Sequence, residues 1–218
     1  MLQDLGEASD CTDLYDGAKL SASELDSLIA YLNELHAPYR SDDLQSAFAN
    51  RRMRELNHEH IFALPLRPGN GLNLDAITPG LEAAAVEIKS DSAYCARVAA
   101  LGRLYLGDMA CLLHGDFFPG SWLRTAAGLK VIDPEFCFCG KPEFDFGVFL
   151  AHMLLSGASP AAVDQVQGSC RHGDWAHVRR FAGVEIMRRL IGVAQLPLTY
   201  GIEEKHRLLQ LSRQLVSQ

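Results

Sequence analysis

A chain of 218 residues, 48% hydrophobic and 22% charged, has the balance of an ordinary globular protein and can bury a sizeable core. Its formal net charge of −7, with no basic stripe to offset it, argues against a nucleic-acid binder. Residues 1–20 carry Asp4, Glu7, Asp10, Asp13 and Asp16 against a lone Lys19, the opposite of a targeting leader.

Those residues read as an irregular acidic lead-in. Ser21 and Glu24 then stand at capping-box spacing, and Leu25, Leu28, Ile29, Leu32 and Leu35 follow at helical intervals, predicting a helix to about His36. A second helix is expected over 42–56, with Leu44, Phe48 and Leu56 inward, and a loop over 57–77. Thr78-Pro79 marks a helix start, and one long helix is expected from Leu81 to about Gly107.

Two short strands come next, roughly 121–124 and 129–132, joined by a small-residue turn that ends at Gly128. The rest reads as helix over about 143–156, 159–168, 174–195 and 202–216, punctuated by Gly157, Gly173 and Pro197. The expectation is a mainly α (α+β) chain of six or seven helices with one hairpin, which excludes a Rossmann arrangement. The apolar run from Phe144 to Leu155 already contains Asp145 and His152 and is too short for a membrane span. A cytoplasmic protein is expected. Six cysteines (Cys11, Cys95, Cys111, Cys137, Cys139 and Cys170) lie in apolar surroundings without the paired spacing of a zinc site, so they read as small buried thiols.

The hairpin carries the chemistry. His114-Gly115-Asp116 precedes its first strand and Asp133-Pro134-Glu135 follows its second, so Asp116, Ser121, Asp133 and Glu135 gather at one end. If the chain stays extended through Pro134, Asp133 and Glu135 share a side. Two carboxylates there suit magnesium, which takes one or two of them together with substrate phosphates and water. Asp116 is then free to accept or orient a hydroxyl proton. Either tripeptide alone would be a plain turn; together, with Leu112, Leu113, Leu129, Val131 and Ile132 burying the stems, the acids must be satisfied or used. Asp145, in an apolar core helix, needs donors, and the N–H groups of the 114–121 loop are the expected ones. The alternative is a plain carboxylate at a helix N-terminus. His114 reads as a packed anchor of the loop.

These residues resemble the C-terminal lobe of the aminoglycoside phosphotransferase and kinase-like superfamily, and the methylthioribose kinases within it. Their catalytic loop is similar to HGD-x-x-x-GS, which fits His114, Gly115, Asp116, Gly120 and Ser121; their D-P-E fits Asp133, Pro134 and Glu135. Phe144-Asp145-Phe146-Gly147 resembles their FDIG helix start, and Asn57-His58-Glu59-His60-Ile61-Phe62 resembles the segment ahead of their long helix. The stretch from Met187 to Ala194 resembles their RR-x-x-G-x-A, and Met1 to Gly6 resembles the hinge between the two lobes. One departure is Phe118, where those kinases favour histidine.

The resemblance implies a protein-kinase-like C-terminal lobe over 21–218 behind a hinge-like lead-in over 1–20. It implies Asp116 as catalytic residue, Asp133, Glu135 and Ser121 at Mg2+, and His114 and Asp145 in support. Gln3 and Leu5 would meet the adenine of ATP, and Arg188 and Arg189 the sugar-like hydroxyl acceptor. From spacing alone Arg188 and Arg189 could equally be an exposed basic patch; nine residues of helix set Arg179 and Arg188 on opposite sides.

Kinase chemistry also uses a glycine-rich loop and a strand lysine on the phosphates, and neither is found here, Lys19, Lys89, Lys130 and Lys141 lying in other contexts. The N-lobe is therefore expected to be missing, supplied in cis or in trans, and the isolated chain to be weak or inactive. Two other readings stay open: a non-catalytic half-kinase binding module, and a metal-dependent hydrolase using His114, Asp116, Asp133 and Glu135 as ligands.

Overall fold

The computed structural model describes residues 4–37, 46–109 and 111–218. Gln3 and the start of the helix expected over 42–56 lie outside them. Among the described residues there are eight α-helices and two small sheets, one helix more than expected.

Strand β1 (Ala8–Asp10) runs antiparallel to β3 (Trp122–Thr125), which pairs with β4 (Gly128–Val131) in the expected hairpin. Sequence gave no sign of β1, whose exposed side chains lack any alternation and which is held by backbone pairing. A 3-10 turn, Thr12–Asp16, follows it and drives Leu14 and Tyr15 into the core. Helix α1 (Ala22–Leu35) opens on the full capping box: the Ser21 N–H donates to Glu24 Oε2 at 2.7 Å, and the Glu24 N–H to Ser21 Oγ at 3.2 Å.

Helix α2 (Arg51–His58) starts at Asn50, held in the left-handed region at φ 41°, so the helix expected through residue 56 is interrupted there. The expected loop at 57–66 is instead helical. A π-turn, Glu59–Ala63, and a 3-10 turn, Leu64–Leu66, continue α2 because Ile61, Phe62, Pro65 and Leu66 all have a core to enter.

The single long helix expected after Pro79 is two, α3 (Leu81–Ser90) and α4 (Ser92–Tyr105). Asp91 divides them: its backbone is extended, and its carboxylate takes the Tyr94 N–H at 2.9 Å as an N-cap. Strands β2 (Cys111–Leu113) and β5 (Phe138–Gly140) pair antiparallel in a sheet too short to show in sequence.

Helices α5 (Glu143–Leu155), α6 (Pro160–Gln167), α7 (Trp175–Ile191) and α8 (Ile202–Ser217) fall close to their expected bounds, except that α7 stops earlier. Helix α5 is buried nearly all round, as its composition demands. It lies close against α7 at Gly147, where a Cβ would stand 2.5 Å from Phe181 Cβ. Gly147→Ala is therefore expected to lower stability by about 2 kcal/mol through overpacking, read from the midpoint of urea unfolding. No disulfide forms among the described residues; burial raises the thiol pKa of Cys11 and of Cys170 to about 11, so both stay protonated.

Candidate active site

The two acidic motifs meet. Gly115 adopts φ +88°, and a Cβ there would stand 2.3 Å from the Phe136 carbonyl oxygen, so the turn after Asp133 rests directly on the loop that holds Asp116. His114 bridges the same junction, its Nε2 lying 2.8 Å from the Ile132 carbonyl, while the Ile132 N–H donates to the Ser121 carbonyl at 3.0 Å. Asn50 steadies the turn from α2, donating Nδ2–H to the carbonyl of Cys137 at 3.1 Å.

From below, the loop is fixed by Asp145, which is fully buried at the start of α5. Its Oδ2 accepts the His114 N–H at 2.7 Å and its Oδ1 the Gly115 N–H at 3.0 Å, the donors that a carboxylate in this core position needs. His36 Nε2, just beyond α1, lies 3.0 Å from Oδ2. Burial pushes the Asp145 carboxyl upward, but the His36 and backbone hydrogen bonds overcome it and leave the pKa below the ordinary aspartate value.

Asp116 itself faces α7. Its Oδ1 receives Nη2–H of both Arg188 and Arg189, each at 3.0 Å, and Oδ2 takes no hydrogen bond from any described residue. Arg188 and Arg189 are buried, so the exposed-patch alternative does not describe them. They survive burial because Glu185, one turn earlier on α7, receives Nε–H of both guanidiniums. Glu185 is held well below the usual carboxylate range: burial works against ionisation, and the two guanidiniums outweigh it. The Arg189 guanidinium also lies 4.8 Å from the centroid of the Phe118 ring, a cation–π contact. Together Gly115, Asp116, Arg188 and Arg189, with Asn57 and His60 from α2 and its π-turn, line a cavity of about 170 Å³.

The remaining expected site residues lie differently. Asp133 and Glu135 are exposed on the turn beside this loop. The backbone between them is not extended: Asp133 is left-handed at φ 60° and Pro134–Phe136 forms a 3-10 turn, so the alternation argument for placing them on one side fails. Ser121 is buried, and its hydroxyl donates to the Asp116 carbonyl at 3.2 Å, bracing the loop. Leu5 is half-buried ahead of β1 and takes no part in the hydrogen bonds that build the site.

Among the described residues no group of three or more His, Cys, Asp or Glu side chains converges as a metal cluster. The four-ligand hydrolase set is therefore not assembled, and His114 Nε2 is turned to a carbonyl instead. Glu185 was missed in the sequence although its spacing to Arg188 and Arg189, three and four residues on, is that of neighbours on a helix face.

The sequence matches the phosphotransferase enzyme family (APH) over residues 10–181, and the chain belongs to that family. It is 28% identical over 207 residues to a methylthioribose kinase of Geobacillus kaustophilus, an alignment covering 78% of this chain and 51% of that protein. A methylthioribose kinase of Exiguobacterium sibiricum is 34% identical over 119 residues, covering 55% of this chain and 30% of its own length. The chain thus spans about half the length, or less, of the curated relatives it matches. Choline kinase LicA from Streptococcus pneumoniae superposes with a TM-score of 0.46 at 14% identity, over 99% of this chain and 69% of that one. No helix among the described residues is long and apolar enough to cross a membrane.

Proposed function

We propose that this chain is the acceptor-binding and catalytic half of a cytoplasmic small-molecule kinase, one that moves the γ-phosphoryl group of ATP to a hydroxyl of a neutral, sugar-like acceptor. The observation that carries this is Asp116 at the wall of the cavity, with Oδ1 tied to two buried guanidiniums and Oδ2 left over. A carboxylate fixed by one oxygen presents the other in a set direction, which is what orienting an attacking hydroxyl requires. Arg188 and Arg189 on the same wall place N–H donors beside ring hydroxyls, and Asp116 and Glu185 balance their two charges, so the wall suits a neutral acceptor.

Asp133 and Glu135, both exposed on the adjoining turn, are the residues that would hold Mg2+, and two carboxylates without a third ligand suit an ion that shares its shell with phosphates and water. When bound, the ion neutralises charge on the transferring phosphoryl group. Ser121 supports Asp116 through its carbonyl, and would reach the ion only by giving up that bond. The remaining contacts to the triphosphate would be those of the glycine loop and lysine of an N-lobe supplied in cis or in trans, with Leu5 toward the adenine.

The test pairs the chain with its N-lobe and measures ADP release against a panel of neutral pentoses, thiopentoses, choline and an aminoglycoside. Transfer to a neutral sugar is expected, and Asp116→Asn is expected to lower kcat about 10³-fold while thermal stability holds. Preference for a cationic acceptor, or full activity in Asp116→Asn, overturns the reading.

A further inference from the structure

The groups that meet the cavity continue inward as a line of buried polar side chains. Beyond Arg188 and Arg189, Glu185 Oε1 lies 3.1 Å from His152 Nε2 on α5. His152 Nδ1 in turn lies 2.6 Å from the hydroxyl of Tyr15. Tyr15, His152 and Glu185 are all buried, and the line ends on the 3-10 turn that follows β1. A second tie joins that turn to the catalytic loop, since the Cys11 N–H donates to the Pro119 carbonyl at 3.1 Å.

The protons along this line can be assigned. Burial brings the His152 pKa down to about 4, so the imidazole is neutral near pH 7. Glu185 is a carboxylate and accepts only, so His152 carries its proton on Nε2 and donates it there. Nδ1 is then an acceptor, and Tyr15 O–H donates to it. Every bond has one donor and one acceptor, and Glu185 has both oxygens engaged by Arg188, Arg189 and His152. Phe118 closes the same corner, its ring 5.7 Å from that of His152 and stacked near Arg189.

Burying polar groups carries a desolvation cost that apolar packing avoids, so a fully satisfied polar line ending on Asp116 points to a task in orientation. We infer that Tyr15, His152 and Glu185 are positioning residues, a relay through which the docked lead-in turn sets the direction of the Arg188 and Arg189 guanidiniums and so decides which oxygen of Asp116 is left for the acceptor. This rests on the reading of Asp116 given under Proposed function. The acceptor end of the site is thereby tied to residues 8–16, a segment distant in sequence. Glu185 cannot rotate without breaking its bond to His152, and His152 cannot flip its ring without losing Tyr15.

The test uses Tyr15→Phe in the full 218-residue chain, since the ring is retained and one hydroxyl is lost. Side-chain 15N spectra follow His152 Nδ1 and the Nε–H groups of Arg188 and Arg189. Tyr94→Phe is the control, because the Tyr94 hydroxyl is equally buried but bonds Ser212 Oγ at 2.7 Å, off the relay. Tyr15→Phe is expected to shift the His152 Nδ1 signal and both arginine Nε signals together and to speed exchange of those Nε–H protons about fivefold, while the melting temperature falls by no more than about 4 °C. Tyr94→Phe is expected to leave all three signals in place.

Arginine signals and exchange that stay unchanged in Tyr15→Phe, or that move equally in Tyr94→Phe, overturn the relay whether or not phosphoryl transfer has been found. If transfer to a neutral acceptor is measured, Tyr15→Phe should also raise the acceptor KM about fivefold with the ATP KM constant. Shifted arginines in a protein that transfers nothing even when paired with an N-lobe sink the kinase reading and leave the relay standing.

Discussion

Replacing Asp145 by alanine is expected to cost about 4 kcal/mol of folding stability, the sum of several buried donors left without an acceptor. Three partners lose their acceptor at once: the His114 N–H, the Gly115 N–H and His36 Nε2. Asp145 is fully buried and α5 is packed nearly all round, so no exposed position offers a substitute for its carboxylate. Each backbone N–H left unmatched costs about 1–3 kcal/mol. For a domain of this length the melting temperature should fall by about 10 °C. Asp145→Asn should lose roughly half as much, because one amide oxygen still accepts while the NH2 faces a donor.

Acid provides an independent check on the sign. The folded pKa of Asp145 is depressed, so its contribution is fully present above the unfolded aspartate value of about 3.9 and is lost as pH falls through the folded one. The gap in stability between the native chain and Asp145→Asn should therefore narrow on acidification below about pH 4. Urea titrations at pH 7 and at pH 3 would measure it, and a gap constant with pH would contradict the account.

Asp145 was legible because a lone acid in an apolar run has to find donors, and the N–H groups of the loop thirty residues before it were the expected ones. The capping box of Ser21 and Glu24 was legible for a similar reason: its chemistry is local and needs no partner from elsewhere. So were the hairpin and the meeting of the two acidic motifs at its open end. What failed depended on backbone choices that side-chain pattern does not encode. Asp133 turns left-handed, which swings Glu135 out of the expected alternation. Asp91 breaks a helix whose apolar spacing runs straight through it, because capping outweighed periodicity there.

Strands β1, β2 and β5 have three residues each, too few for alternation to register. The site's polar interior was hidden for another reason. Tyr15 and His152 stand 137 residues apart in sequence, so only the fold brings them together. The arginines divide as helix geometry required: Arg188 and Arg189 reach Asp116, whereas Arg180 lines a separate cavity with Arg97 and Leu101.

Glu185→Ala is expected to be at least as damaging as the loss of Asp145, about 4–5 kcal/mol, because it strands two guanidiniums in the interior. Arg188 and Arg189 are 7% and 5% exposed, so water cannot replace the lost carboxylate. The pair must then share Asp116, a single partly exposed carboxylate, between two full charges. Arg189→Met alone is expected to cost about 3 kcal/mol, since Glu185 keeps Arg188. In the double variant Glu185→Ala, Arg189→Met, one stranded charge is removed together with its partner, so the loss should fall short of the sum by more than 1 kcal/mol. Additive losses would show that the three residues do not act as a unit.

Glu185→Gln separates charge from shape. Its amide keeps one acceptor, but its NH2 meets a guanidinium or the His152 Nε2–H, so about 2–3 kcal/mol should go. Because the Glu185 carboxyl is held well below its ordinary range, its share of stability is present above the unfolded glutamate value of about 4.3 and persists until pH falls through the folded one. Native protein and Glu185→Gln should therefore still differ at pH 4, a pH at which an ordinary exposed glutamate would already be largely protonated. A difference that vanishes by pH 4 would mean that the guanidiniums do not grip Glu185 as their distances require. In either variant the released arginines gain freedom to cover the second oxygen of Asp116, so on the proposed kinase reading acceptor turnover should drop further than the loss of folded protein accounts for.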